Sequence, residues 1–409
     1  GLNIAIGHNA LASLNAGADA YNVAIGHLAG ENMTTGTNNT IMGGLAADAL
    51  TIGHNNIAIG YKALSTSVDG DYNVAIGYAA LEDYEDGDGN GHNTAIGSSS
   101  QTNASTGEFN TSLGSLSMGV GVTIGDYNTA LGAEAGKALT SGGLNTLVGG
   151  KAGDALTTGS SNTAVGYRAL TTEDGHGRNT ALGHEALATL NAGADAHNTA
   201  VGYQAGTAMT TGVQNTIMGG LAGDALTTGS SNVCIGYNSG GTLSTGESNV
   251  AIGLNALDGE DTGSKNVAIG QSALGALNYD GNGYNVAVGH DAGKAVTTGV
   301  QNTLIGGVAG DALTTGTRNI AIGFSALSSE DTGGRNIAVG RSALGSLDAG
   351  QDGYNVAIGD DAGAAMLTGV QNTIIGGLAG DALTSGDNNV VMGYLALSSE
   401  TLGDRSVAI

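Results

Sequence analysis

Short apolar runs alternate with Gly-rich polar stretches along this chain, and the alternation has a fixed period. Its unit is a five-residue word, Asn22-Val23-Ala24-Ile25-Gly26, which returns as Asn73-Val74-Ala75-Ile76-Gly77, Asn162-Thr163-Ala164-Val165-Gly166, Asn266-Val267-Ala268-Ile269-Gly270 and Asn355-Val356-Ala357-Ile358-Gly359. The first heads are Asn3, Asn22, Asn39, Asn56, Asn73 and Asn93; the last Asn is Asn389, and Ser406 takes its place once more. The usual step is 17 residues, with steps of 18 to 20 interspersed. Self-similarity of this kind defines a repeat architecture, and the step is too short for a pair of helices. The Val/Ile/Thr content of each word favours a strand. The pattern predicts an all-β chain: one continuous β-solenoid over 1–409, of about 24 coils, the last incomplete.

Two further positions refine the coil. Seven residues after the Asn stands Ala, as in Ala29, Ala46, Ala63 and Ala80. The next residue changes in pairs of coils: Gly30 and Ala47, then Leu64 and Leu81. Where Leu is lost, a large apolar residue follows three places later, as in Met33, Leu50, Leu139 and Leu156. Close packing penalises voids and overlaps alike, so moving volume in this way predicts one interior with a four-coil superperiod. Alternation places the Asn, the Ala two after it and the Gly on one face, and the residues between them on the other. The Ala position also holds Ile41, Leu147, Ile217, Leu304, Ile374 and Val391. That tolerance suggests a face toward a neighbouring subunit. From 98 to 127 the Ala/Leu pair is replaced by Ser99-Ser100 and Leu116-Ser117, which predicts a kink or a diverged pair of coils.

Composition narrows the setting. Gly is 75 of 409 residues, Pro and Trp are absent, and 40% of residues are hydrophobic. An interior of Ala, Val, Ile and Leu follows, and a chain paired on both sides has no edge on which to place Pro. The net charge is −25, which argues against a nucleic-acid partner and against anionic lipid. There is no apolar run long enough to cross a bilayer, so no membrane insertion is expected. Cys234 replaces the Ala of its word and reads as a packing residue. The array starts just before a word and stops inside one, so both ends read as cuts within a longer array.

The most regular polar feature is the Asn column, including Asn22, Asn39, Asn56, Asn73, Asn162, Asn198, Asn266 and Asn355. Stacked Asn side chains can form an amide ladder with each other or with turn backbone, and Asn tolerates the left-handed conformation of a corner. A structural role is favoured over binding.

The word followed by Ala resembles the head repeats of YadA-like trimeric autotransporter adhesins. It also resembles the repeats of phage tail-fibre proteins, most closely at Asn198-Thr199-Ala200-Val201-Gly202-Tyr203-Gln204-Ala205-Gly206. The resemblance implies a left-handed parallel β-roll, a homotrimer, and an adhesive or receptor-binding fibre outside the cell or on a virion.

Candidate chemistry lies outside the word. Tyr61, Tyr78, Tyr167, Tyr203, Tyr237 and Tyr394 fall five residues after the Asn, with His184 in the same slot. Five more Tyr and two His fall just before the Asn. Such rings suit a cell-surface glycan or protein receptor, or they cover turns and subunit seams. Asp86, Asp88 and Asn90 match the first half of a calcium loop, but Gly97 stands where the bidentate Glu is needed. Calcium is the one cofactor this suggests. The Asp of Ala-Xaa-Asp-Ala-Leu (Asp48, Asp154, Asp224, Asp311, Asp381) reads as an exposed turn residue. Thr34, Thr157, Thr210, Thr227, Thr297 and Thr314 raise an ice-binding alternative, and the Asp loops a calcium-stabilised surface-layer alternative. No nucleophile elbow, phosphate loop or zinc spacing is present, so an enzyme is not expected.

Overall fold

Three residues form each strand but the last, Val407–Ala408, because a glycine ends it. In the computed structural model, which describes residues 1–17, 19–84 and 91–409, the strands are the second to fourth residues of the word, as in Val23–Ile25 and Thr40–Met42. The following Gly26 has φ +145°, and a Cβ on it would stand 2.3 Å from the carbonyl oxygen of Gly43. Only glycine bends the chain there and lets the next coil approach so closely.

The chain comprises two units, Gly1–Gln204 and Ala205–Ile409. Each is an all-β parallel solenoid. Among the described residues the first holds the strands from Ile4–Ile6 to Thr199–Val201 and the second those from Thr216–Met218 to Val407–Ala408, with no helix in either. Successive strands pair in parallel and in register: Val23 with Thr40, Ala24 with Ile41, Ile25 with Met42. In the second unit Thr216 pairs with Val233, Ile217 with Cys234 and Met218 with Ile235. Equal positions of the word therefore stack on one another, and every repeated residue becomes a column.

Corners are made by ordinary residues in the left-handed region. The residue before the Asn carries it, as in Tyr21 (φ 54°), Asn38 (60°), Asn55 (60°) and Tyr72 (56°). So do the sixth and eighth residues after it, as in Lys62 (58°) and Leu64 (55°). The heading Asn itself does not, contrary to the expectation from its tolerance of that conformation. Each such residue costs about 1 kcal/mol or more in backbone strain, so the stack must hold it in place.

The interior is one column of small side chains and two of variable size. Ala24, Ala29, Met33, Ile41, Ala46, Ala47 and Leu50 are fully buried. This corrects the expectation that the Ala/Ile column faces a neighbouring subunit: Ile41, Leu147, Ile217, Leu304, Ile374 and Val391 are all fully buried. The larger residue fills space vacated by glycines of its own and the preceding coil. A Cβ on Gly293 would stand 2.5 Å from Leu304 Cδ1, and one on Gly310 2.8 Å from Leu304 Cδ2. Gly136 and Gly153 stand in the same relation to Leu147. The opposite strand face is half-buried and apolar at Val23 and Ile25 and at Val267 and Ile269, and carries Thr in other coils, as at Thr163 and Thr180.

Strand register runs unbroken through 98–127. Thr94 pairs with Thr111 and Ala95 with Ser112, then Thr111 with Thr129. The change is inside: Ser100 Oγ and Ser112 Oγ lie 2.6 Å apart in the core, and Ser117 Oγ donates to the Ala130 carbonyl.

Candidate functional site

The Asn column is closed to solvent. Asn39 donates its backbone N–H to Asn22 Oδ1 at 2.9 Å, and its Nδ2 donates to the Gly53 carbonyl at 2.9 Å. Asn56 and Asn73 continue the pattern with Asn39 and Asn56. Asn162 donates its N–H to Asn145 Oδ1, Asn198 to Asn179 Oδ1, Asn266 to Asn249 Oδ1 and Asn355 to Asn336 Oδ1. All these side chains are buried. They couple coil to coil and offer no surface to a ligand.

Three buried glutamates were not singled out by sequence reasoning. Glu173, Glu260 and Glu330 are fully buried, each in a coil that precedes a 19-residue coil. Glu330 Oε1 accepts from the Gly333 N–H at 2.7 Å and Oε2 from the Ala349 N–H at 3.1 Å. Glu173 accepts from His176 N and Ala192 N in the same way, and Glu260 from Asp261 N and Gly263 N. Each ties down its own turn, and Glu173 and Glu330 also hold the longer loop of the next coil. Burial pushes the carboxyls of Glu260 and Glu330 above the usual range, against the backbone donors that lower them. The signal was legible as Ala-Leu-Xaa-Xaa-Glu-Asp before the loops of these three following coils.

Among the described residues, two clusters bring metal-ligand groups within 4.8 Å of one another: Glu173, Asp174 and His176, and Glu330, Asp331 and Asp348. Asp86, Asp88 and Asn90 lie outside the described residues. The Asp of Ala-Xaa-Asp-Ala-Leu is not an exposed turn residue: Asp48, Asp154, Asp224, Asp311 and Asp381 are half-buried. Burial raises the carboxyls of Asp48, Asp224 and Asp311. The reason is the corner, where the acid turns back over its own backbone. The Thr hydroxyls bridge coils: Thr34 donates to the Thr51 carbonyl, Thr157 to Asp174, Thr210 to Thr227, Thr227 to Ser244, Thr297 to Thr314 and Thr314 to Asp331. Cys234 is buried, and burial pushes its thiol up to about 12.

The aromatic rings form two exposed columns. Five residues after the Asn, His8 stacks on His27 at 5.3 Å, Tyr61 on Tyr78 at 5.7 Å, and Tyr167, His184 and Tyr203 follow one another at 5.5 and 5.4 Å. Exposure runs from 47% at Tyr61 to 74% at Tyr394, with Tyr237 between them. Just before the Asn, Tyr72, His92, Phe109 and Tyr127 stack at 4.8, 4.9 and 5.0 Å with planes within 5° of parallel. Phe109 was missed although it occupies the same slot. In this second column the rings cover one another's faces and present edges to solvent. Two later members are covered by cations: Lys265 Nζ lies 5.3 Å from the Tyr284 ring, and Arg335 Cζ 5.2 Å from that of Tyr354.

No helix among the described residues is long and apolar enough to cross a membrane. Compared with known proteins, the chain matches no protein-family model and no curated protein.

Proposed function

We propose that this chain is part of an adhesive fibre, outside the cell or on a virion, of the kind built by YadA-like adhesin heads and phage tail fibres. Its coils carry the load and its ring column meets a cell-surface glycan or protein receptor. The observation that supports this reading is a division of labour. The buried Asn column is engaged in coil-to-coil bonds, while the rings of Tyr61, Tyr78, Tyr167, Tyr203, Tyr237 and Tyr394 remain about half exposed or more. Large exposed aromatics are suited to recognition because they offer apolar area with a polar tip. No catalytic role is assigned.

Self-association as a homotrimer belongs to the same reading. The outward strand face, apolar at Val250, Ile252, Val267 and Ile269 and bearing Thr in other coils, is the surface available for it. Binding to immobilised host-surface glycans and proteins, with Tyr167→Ala and Tyr203→Ala together as the variant, tests recognition: binding is lost on substitution, and unchanged binding overturns the assignment. Sedimentation velocity tests assembly, where a monomer at micromolar concentration overturns it.

A second reading, a calcium-stabilised surface-layer solenoid, draws on the convergence of Glu330, Asp331 and Asp348. It requires the melting temperature to rise with added calcium and the rise to shrink in Asp331→Asn/Asp348→Asn.

A further inference from the structure

A cleft in each unit is built the same way, on the corner that follows the strand. The first has a volume of about 360 Å³, and its walls include Asp48, Ala49, Lys62, Ser65, Thr66 and Glu82. The second has a volume of about 450 Å³, and its walls include Asn255, Asp258, Gly275, Ala276, Lys294 and Ala295. Both volumes fall within the roughly 300–1,000 Å³ of small-molecule sites.

Register explains where they lie. Nine residues after the Asn, successive coils carry Asp48, Ser65 and Glu82 in the first unit and Asp258, Gly275 and Lys294 in the second. A short residue between two long ones leaves the cleft. The next position in each coil adds methyl groups, from Ala49 and Thr66 or from Ala276 and Ala295. Backbone donors there are already spent on the following coil. Ala49 donates to the Ser65 carbonyl, Thr66 to that of Glu82, Ala276 to that of Lys294 and Ala295 to that of Asp311.

The charges are also constituted alike. Lys62 Nζ lies 2.7 Å from Glu82 Oε1, and Lys294 Nζ lies 3.3 Å from Asp291 Oδ2. Each lysine is therefore matched by an acid. Asp48 and Asp258 take part in no ion pair among the described residues, so each cleft keeps one negative charge over. Both aspartates are half-buried, and burial raises both carboxyls. Asp258 Oδ1 accepts from Asn238 Nδ2 at 2.8 Å, which leaves its other oxygen to a ligand. A partly desolvated carboxylate without a counter-charge is costly, and a cation seated against it offsets that cost. An ammonium brings both the charge and the N–H donors a carboxylate accepts. Methyl groups and lysine stems around the acid suit an aliphatic stem on the same ligand.

We propose that these clefts each bind one primary alkylammonium group, with the ammonium on Asp48 or Asp258 and the aliphatic stem along the neighbouring methyl groups. This goes beyond the adhesive reading and stands independently of it.

Equilibrium dialysis of the full chain against n-pentylamine, at physiological ionic strength, tests it. The parent chain is expected to bind saturably, one molecule per cleft. Asp258→Asn and Asp48→Asn are each expected to remove one site, and the double variant to bind at least tenfold more weakly. Gly275→Leu/Ser65→Leu fills both clefts while keeping both acids, and the same loss is expected. Circular dichroism melts accompany each variant, and the two kinds of variant keep the test decisive if one disturbs folding. n-Pentanol, which has the stem without the charge, is expected not to bind. Nα-acetyl-lysine methylamide separates the sources of the group. Binding of it with the same losses assigns the clefts to lysine side chains of a partner, and binding of pentylamine alone assigns them to free amines. No binding of pentylamine overturns the proposal. So does binding that survives filling of the clefts, or that falls as much in the exposed-acid control Asp19→Asn/Asp404→Asn, because the attraction is then that of an acidic surface at large.

Discussion

Leu304 offers the sharpest test of the interior. It is fully buried and occupies space left by Gly293 and Gly310, where added Cβ atoms would stand 2.5 and 2.8 Å from its methyl carbons. Leu304→Ala removes three carbons from a site walled by two glycines, which cannot collapse to refill it. A loss of about 3–4 kcal/mol follows from the usual cost of a leucine-sized cavity. Gly310→Leu alone overpacks the same site and costs about 1–3 kcal/mol. The backbone there accepts leucine, since Gly310 has φ 56° and Leu327 and Leu344 hold the equivalent position at 52° and 51°. Coil 336–354 already combines Ala338 with Leu344 and Leu347, all buried. The double variant Leu304→Ala/Gly310→Leu is therefore expected to recover about 2 kcal/mol or more of the summed loss, a coupling typical of residues in contact. Because a repeat array need not unfold in one step, the assay is hydrogen-exchange protection of peptides spanning 293–322 rather than a global melt. Additivity within about 0.5 kcal/mol would refute the shared cavity.

Two further outcomes are expected. Asn302→Ala leaves the buried N–H of Asn319 and the Gly316 carbonyl without their partners at 2.9 Å, at a cost of about 2–4 kcal/mol in local protection, and a loss under about 0.5 kcal/mol would remove the Asn column from the account. Glu260 and Glu330 have carboxyls raised above their unfolded value, so the folded state binds protons more tightly than the unfolded one. Their contribution to stability is then unfavourable at neutral pH and improves as pH falls through the raised folded-state value. Melting temperature is expected to climb on acidification from neutral pH, and to climb less in Glu330→Ser, which copies Ser67 at the same coil position. Relief of the net negative charge acts in the same direction in both chains, so an equal climb would sink the assignment.

Much of the fold was legible because a period written into the sequence determines the stacking neighbour of each residue. The word named the strand, the Gly named its end, and the alternation of Leu with Gly named the interior. What misled was position along one coil. Ile41 sits where other coils carry Ala, and its freedom looked like an open face. Its partner is Gly30, in the preceding coil, which becomes a neighbour only once the strands are in register. Glu330 escaped notice for a related reason: one acid per superperiod in a loop looks solvated until the next coil's Ala349 N–H is laid against it. The aromatic slots were visible as slots, and the Asx-rich loop at 86–90 lies outside the described residues.

Register carries every column described above, and a disulfide measures it. Leu254 and Gln271 are exposed, occupy the same slot one coil apart, and should have Cα atoms about 5 Å apart, within disulfide range. His290 is the same slot one coil further, about 10 Å from Leu254 and beyond that range. In a Cys234→Ala background, Leu254→Cys/Gln271→Cys is expected to oxidise in air to an intrachain disulfide, read by peptide mapping. Leu254→Cys/His290→Cys is expected to stay reduced. Failure of the first pair, or equal oxidation of the second, would contradict the in-register stack on which the account depends.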